Sequence, residues 1–309
     1  MNVSCTLIVA AGQAIIIDTF SSPRHLEPFL EFLGTLQTAK GSLLAHESHG
    51  FENPDAIPKL QSEHSNCVWV VYSHGDWDHC LGTGAVEDAL GPSGISHVVS
   101  HRLTRCRLAE EGLKDIQELK IINPPLVEGA KVVLPNITFS ERLTLHIGSQ
   151  RVCTGDRGFQ ISGLRGEVSS ASLELNHVGG HTQDSIACYL AEEKVLIAGD
   201  LAEDPLPSVG DPFGLDKWIE CLEYYSERAN VVIPSHGKAQ GPDILRRNAK
   251  YLGLLRQSAK RSMENRSLSH IDPETFEIVD SLTPHQKACY LGIHQDNANV
   301  LDLACQGSV

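Results

Sequence analysis

Short apolar runs bounded by glycine, proline or acidic residues recur along the chain, at 3–10, 13–18, 67–72, 96–100, 137–139, 142–147, 173–177, 186–190, 194–198 and 230–234. Their length and β-branched content predict strands. Gly12 predicts a hairpin between the first two. Other stretches carry helical periodicity. Pro23 opens one that runs to about Lys40, with Leu26, Phe29, Leu30 and Leu33 on one face. Residues 82–90 predict a short helix, and 101–120 a longer one with Leu103, Cys106, Leu113, Ile116 and Leu119 on its apolar face. A later helix carries Trp218, Ile219, Leu222 and Tyr225, and 243–263 repeats Ile244, Tyr251, Leu252, Leu255 and Ala259 at helical spacing. Residues 273–305 predict two further short helices. Strands alternating with helices in the first half predict an α/β layered arrangement, with 137–139 and 142–147 as strands of another sheet.

Between these elements the pattern lapses in three places. Residues 41–66 form a loop whose His46, His49 and His64 read as solvated. Residues 153–172 are polar and Gly-rich, yet Val152 before them and 173–177 after them would join into one strand, which predicts an inserted surface loop. A Pro-rich loop spans 203–212.

The chemistry sits where strands stop. The run Cys67-Val68-Trp69-Val70-Val71-Tyr72 leads directly into Ser73-His74-Gly75-Asp76-Trp77-Asp78-His79-Cys80. His74, Asp76, Asp78 and His79 are ligand-type side chains crowded at one strand end, which packing does not explain. The same design returns at His181 after Gly179-Gly180, at Asp200 after Gly199, and at His236 after Pro234-Ser235. Glycine beside such positions permits tight turns and close backbone approach. His177, Cys80, Trp77 and Trp218 fit ordinary roles better: a strand-end hydrogen bond, a small buried thiol and two core rings. Thr182, Asp184 and Ser185 are expected to orient imidazoles.

Composition narrows the field. A formal charge of −14 argues against a phosphate-backbone binder. The Lys and Arg residues of 246–261 lack aromatic interleaving and read as a solvated helix face. No apolar run approaches the roughly 20 residues needed to span a bilayer, and the start reads as a strand rather than a secretory signal. Nine cysteines, scattered without CxxC pairs, predict no disulfide framework and a reducing, cytoplasmic setting. Neither GxSxG nor a P-loop is present.

On the 74–79 loop followed by His181, Asp200 and His236, the chain resembles the metallo-β-lactamase-fold superfamily, defined by an H-x-H-x-D-H loop, a later His, an Asp and a final His. The match runs over about 3–240, and the helix from Asp243 resembles the tail of many small bacterial-type members. The resemblance implies an α/β, four-layer αβ/βα sandwich over 1–240, with 241–309 as a C-terminal helical extension of the same domain. It also implies two divalent metal ions, zinc foremost. His74, Asp76 and His181 would hold one, Asp78, His79 and His236 the other, with Asp200 bridging.

One position departs: the second histidine of the family loop is Asp76, giving H-x-D-x-D-H. The added negative charge implies a less strongly stabilised hydroxide, and the harder oxygen donor admits iron or manganese. The implied function is hydrolysis of a small ester, thioester, lactone or amide by a metal-bound hydroxide that Asp78 orients. The loops 41–66 and 203–216 would shape the pocket. The alternatives are a non-haem iron oxidoreductase on the same fold and a metal-binding module without turnover. The expected partner is a small-molecule substrate, with no nucleic acid and no membrane; the oligomeric state stays open.

Overall fold

The computed structural model describes residues 3–10, 13–22, 26, 29–31, 67–90, 94–148, 170–265 and 283–305. It has the mixed α/β architecture expected, with two five-stranded sheets and their helices, divided between two compact units.

The first unit is built on the sheet β1-β2-β3-β4-β5. Strands β1 (Thr6–Ala10) and β2 (Gln13–Ile17) pair antiparallel, with Thr6 opposite Ile17 and Ala10 opposite Gln13. Strand β3 (Cys67–Val71) runs parallel to β2, and β4 (Ile95–His101) parallel to β3. Alternation sets the faces: Ala14, Ile16, Val68, Val70, Tyr72 and Val98 join Leu26 and Leu30 in one core. Ile15, Ile17, Val71 and Val99, on the opposite face, are buried too. Parallel strands buried on both faces explain the nearly unbroken apolar runs.

Helices α1 (Trp77–Cys80), α2 (Thr83–Leu90) and α3 (Arg102–Ile122) belong to this unit. The buried stripe of α3 is Thr104, Leu108, Gly112 and Ile116, not the expected face through Leu103, Cys106 and Leu113. Leu113 is 69% exposed. This i, i+4 row packs tightly, since a Cβ at Gly112 would already stand 3.0 Å from Val132. Strand β5 (Ile137–Phe139) corrects another expectation, since it joins the first sheet. Asn136 fixes it there: its backbone N–H donates to the Val98 carbonyl at 2.9 Å, and its side-chain Oδ1 accepts from the Val98 N–H at 2.9 Å.

The second unit carries the sheet β10-β9-β8-β7-β6. Its strands are β6 (Arg142–Gly148), β7 (Ser170–His177), β8 (Ile186–Leu190), β9 (Val195–Gly199) and β10 (Val231–Pro234). Strands β7, β8 and β9 form an antiparallel meander, and β10 lies parallel to β9. Strand β7 begins at Ser170, so the last residues assigned to the inserted loop are strand. Helices α4 (Leu215–Ser226), α5 (Asp243–Asn265) and α6 (Pro284–Cys305) complete the unit. Trp218, Leu222, Tyr251, Leu252 and Leu255 meet Leu196, Ala198 and Val232 in one core. Of the stretch 273–305, expected to hold two short helices, 273–282 lie outside the described residues, and Pro284–Cys305 is one helix of 22 residues. Its Tyr290 and Leu301 belong to the same core.

The turn at Gly12, most of the stretch from Pro23 to Lys40, the 41–66 loop with His46, His49 and His64, residues 153–169 and residues 273–282 lie outside the described residues. Among the described residues no helix is long and apolar enough to cross a membrane. Cys5, Cys80, Cys106, Cys188, Cys221 and Cys289 are free thiols.

Candidate metal centre

In the first unit the ligand-type residues leave the end of β3. The chain turns through Ser73-His74-Gly75 into α1, so His74, Asp76, Asp78 and His79 share one strand end. A residue that sequence reading passed over holds them in place. Asp18 ends β2 at φ 61°, a left-handed conformation that Asp tolerates better than most residues. Its carboxylate accepts from the Ser73 N–H (2.7 Å), the Ser73 hydroxyl (2.7 Å) and His79 Nδ1 (2.9 Å). The Ser73 hydroxyl hydrogen is thereby committed, so Ser73 Oγ accepts from His74 Nδ1 at 2.9 Å. An acid closing the run Ile15-Ile16-Ile17 was the available signal, the same strand-end pattern that drew attention to 74–79.

In the second unit, Gly179 and Gly180 adopt φ 79° and 94° before His181. A Cβ on Gly180 would stand 2.5 Å from the Trp218 ring, so the turn that aims His181 requires glycine. Gly199, at φ 56°, releases Asp200 from β9. The Ser235 N–H donates to the Gly199 carbonyl at 3.1 Å, which aligns the strand ends that carry Asp200 and His236. His181 Nδ1 donates to the Ser208 carbonyl at 2.9 Å. That carbonyl therefore orients His181, while the Thr182 and Ser185 hydroxyls bond each other at 2.8 Å.

The hydrogen bonds decide the tautomers. A carboxylate and a carbonyl only accept, so His79 and His181 carry their proton on Nδ1, as His74 does toward Ser73. Each then presents an Nε2 lone pair. His74 Nε2 lies 3.3 Å from Asp76 Oδ2 and His79 Nε2 3.8 Å from Asp78 Oδ1. In the other unit, His181 Nε2 and His236 Nε2 lie 3.4 and 3.5 Å from the same oxygen of Asp200. Charge-assisted hydrogen bonds are shorter, about 2.7–2.9 Å. Two donors on one tetrahedral zinc, each about 2.1 Å from the ion, stand about 3.4 Å apart. The spacings of 3.3, 3.4 and 3.5 Å match those of ligands that share an ion.

Two further charged residues alter the site. Arg107 of α3 reaches Asp76 Oδ1 at 2.5 Å and also faces Glu111 at 3.7 Å. Glu203, 3% exposed, belongs to a buried group with His181 and Asp200 whose ligand atoms all lie within 4.8 Å. Its carboxyl is pushed up to about 7, first by burial and then by the Asp200 carboxylate, against the opposing pull of His236 and His181. Neither residue carries a motif signal, because each reaches the cluster only through the fold. His177 Nε2 meets the Gln183 carbonyl at 2.8 Å, and Cys80 is buried with its thiol toward the His74 and Asp76 carbonyls, at 3.3 and 3.1 Å. Trp218 is fully buried and donates to the Leu201 carbonyl, and Trp77 packs beside Ile116 and Val127.

Imidazoles set beside carboxylates at strand ends of an α/β fold form His/Asp groups of the kind that could hold a metal ion. The chain belongs to the metallo-beta-lactamase superfamily, whose family model matches residues 1–236. Among solved structures it is similar to a metallo-beta-lactamase family protein of Thermus thermophilus, with 17% identity and a TM-score of 0.56 over 99% of this chain and 89% of that one. It is equally similar to the stereoselective inverting sec-alkylsulfatase of Pseudomonas sp., again at 17% identity and TM-score 0.56, over 97% of this chain but 47% of that one. These likenesses bear on the fold. No curated protein matches the sequence.

Proposed function

We propose that the chain is a metal-dependent hydrolase that holds two divalent ions. His74, Asp76 and His181 would hold one, Asp78, His79 and His236 the other, with Asp200 between them. The observation that carries this reading is the set of Nε2-to-carboxylate separations of 3.3, 3.4 and 3.5 Å around imidazoles whose Nδ1 atoms at His74 and His181 are already committed. When bound, such ions supply Lewis-acid polarisation of a carbonyl or ester oxygen and activation of water.

The chain's own residues do the rest. His74, His79 and Asp200 are buried, which keeps bulk water from the donors and strengthens their electrostatic hold. Asp78 keeps its side chain 19% exposed, so its carboxylate can orient an attacking water and accept the proton that water loses. Arg107 changes the charge count made from sequence. Asp76, Asp78 and Asp200 carry −3, and the guanidinium on Asp76 returns +1, leaving −2. That equals the charge of a family loop with histidine at position 76, so zinc stays the first expectation, ahead of iron or manganese.

The substrate class is a small ester, thioester, lactone or amide, and the free thiols fit a reducing cytoplasm. The test is elemental analysis of the purified protein combined with turnover of a panel of those four substrate types. Zinc with hydrolysis supports the reading. Iron with thiol-dependent oxygen consumption replaces it with an oxidoreductase, and stoichiometric metal without turnover replaces it with a binding module.

The Arg107 pair gives a separate expectation. Asp76→His alone leaves the guanidinium close to the ion without its carboxylate, whereas Asp76→His with Arg107→Met removes that repulsion. Zinc affinity, measured by competition with a chelator, is expected to be about tenfold or more higher in the double variant, since one charge beside a divalent ion amounts to at least about 1.4 kcal/mol. Equal affinities would show that Arg107 does not feel the ion.

A further inference from the structure

Three buried side chains of the second unit, His181, Asp200 and Glu203, come together, and only the first two belong to the ligand pattern of the 74–79, 181, 200 and 236 positions. We infer that Glu203 is an additional carboxylate ligand to the ion held by His181 and Asp200. The inference rests on the hydrolase reading for the presence of that ion, and concerns a residue that reading does not use.

The surroundings of Glu203 are constructed in detail. Asn248 of α5, fully buried, grips its backbone from both sides: the Glu203 N–H donates to Asn248 Oδ1 at 2.9 Å, and Asn248 Nδ2 donates to the Glu203 carbonyl at 3.0 Å. Asn248 Nδ2 also reaches the Pro205 carbonyl at 3.3 Å. From α6, the Tyr290 hydroxyl donates to the Asp204 carbonyl at 3.1 Å, and Asn297 Nδ2 to the Pro207 carbonyl at 2.8 Å. The C-terminal helices thus hold residues 203–207 by the main chain. At the end of that loop a single residue serves both candidate ligands: the Ser208 N–H donates to Glu203 Oε1 at 3.3 Å while its carbonyl accepts from His181 Nδ1.

Glu203 and His181 are thus tied to one residue, Ser208. The Asp200 carboxylate pushes the Glu203 carboxyl up, and the His236 and His181 imidazoles oppose it. A carboxylate buried beside another carboxylate is costly unless a cation stands between them. The ligand atoms of His181, Asp200 and Glu203 all lie within 4.8 Å of one another, so the three fall inside the span that ligands of one ion occupy. With Glu203 ionised the donor set, Arg107 included, carries −3 against the +4 of two divalent ions.

The test compares wild type, Glu203→Gln, Glu203→Asp and His181→Ala as full chains. Metal content is measured after desalting, zinc affinity by chelator competition, and ligand geometry by the visible absorption of the cobalt-substituted protein. Glu203→Gln keeps an acceptor for the Ser208 N–H and removes only the charge. It is expected to lower zinc affinity at least tenfold and to shift the cobalt bands, with Glu203→Asp intermediate and the far-ultraviolet circular dichroism of both unchanged. Wild-type affinity and wild-type cobalt bands in Glu203→Gln, alongside loss of metal in His181→Ala, would overturn the role of Glu203 alone. A wild-type protein that retains no metal, with His181→Ala indistinguishable from it, would overturn the hydrolase reading and this inference together.

Discussion

His181→Ala and Asp200→Ala are each expected to strip the protein of metal and of hydrolytic activity together, while His177→Ala retains both. The lone pair on His181 Nε2 faces Asp200, whereas His177 Nε2 is bonded to the Gln183 carbonyl. Four-ligand zinc sites contribute roughly 10–16 kcal/mol of binding, so removing one ligand costs about 3 kcal/mol, more than a hundredfold in affinity. Asp200→Ala should do more damage than His181→Ala, because one Asp200 oxygen stands within 3.4 and 3.5 Å of both His181 and His236. Elemental analysis after desalting reads the outcome directly. Equal metal loss in the His177 and His181 variants would refute the assignment of both histidines.

Replacing Asp18 should be nearly as disruptive, although that residue touches no ion in the proposed scheme. Asp18→Ala leaves the Ser73 N–H, the Ser73 hydroxyl and the His79 Nδ1–H without their acceptor inside a buried cluster. Buried donors deprived of partners cost about 1–3 kcal/mol each, so the metal-free protein should lose about 3 kcal/mol or more of stability. Loss of the group that fixes an imidazole ligand typically lowers metal affinity about 10–100-fold. Urea unfolding of the chelator-treated protein measures the first effect, and zinc competition the second. Asp18→Asn, which still offers one acceptor oxygen, should fall between Ala and wild type in both. A variant with the wild-type urea midpoint and zinc affinity would show that the Asp18 contacts are incidental.

Strand ends were the most legible part of the chain. An apolar run buried on both faces has one place to put a charged side chain, which is where the run stops, so His74, His181, Asp200 and His236 stood out at once. The same rule covers Asp18, yet a single acid after Ile17 looks like an ordinary strand terminator until the loop after β3 folds over it. Helix faces were less legible. On α3 two apolar stripes compete, and the choice of Thr104, Leu108, Gly112 and Ile116 depends on what Val132 leaves room for. The placement of β5 likewise turned on one asparagine, whose amide and backbone both lock to Val98.

Sequence by itself determined most of the order of strands and helices, the four strand ends that carry ligand-type residues and the family, because periodicity and strand termination are local consequences of burying apolar residues. Tertiary structure decided which nitrogen of His74, His79 and His181 carries the proton, that Arg107 offsets Asp76, and that Glu203 stands beside His181 and Asp200. Those features rest on partners 27, 31 and 22 positions away for His181 to Ser208, Asp76 to Arg107 and Glu203 to His181 respectively. Hydrogen-bond direction and charge compensation act over a few ångströms in space, and only the folded backbone converts distance along the chain into that proximity.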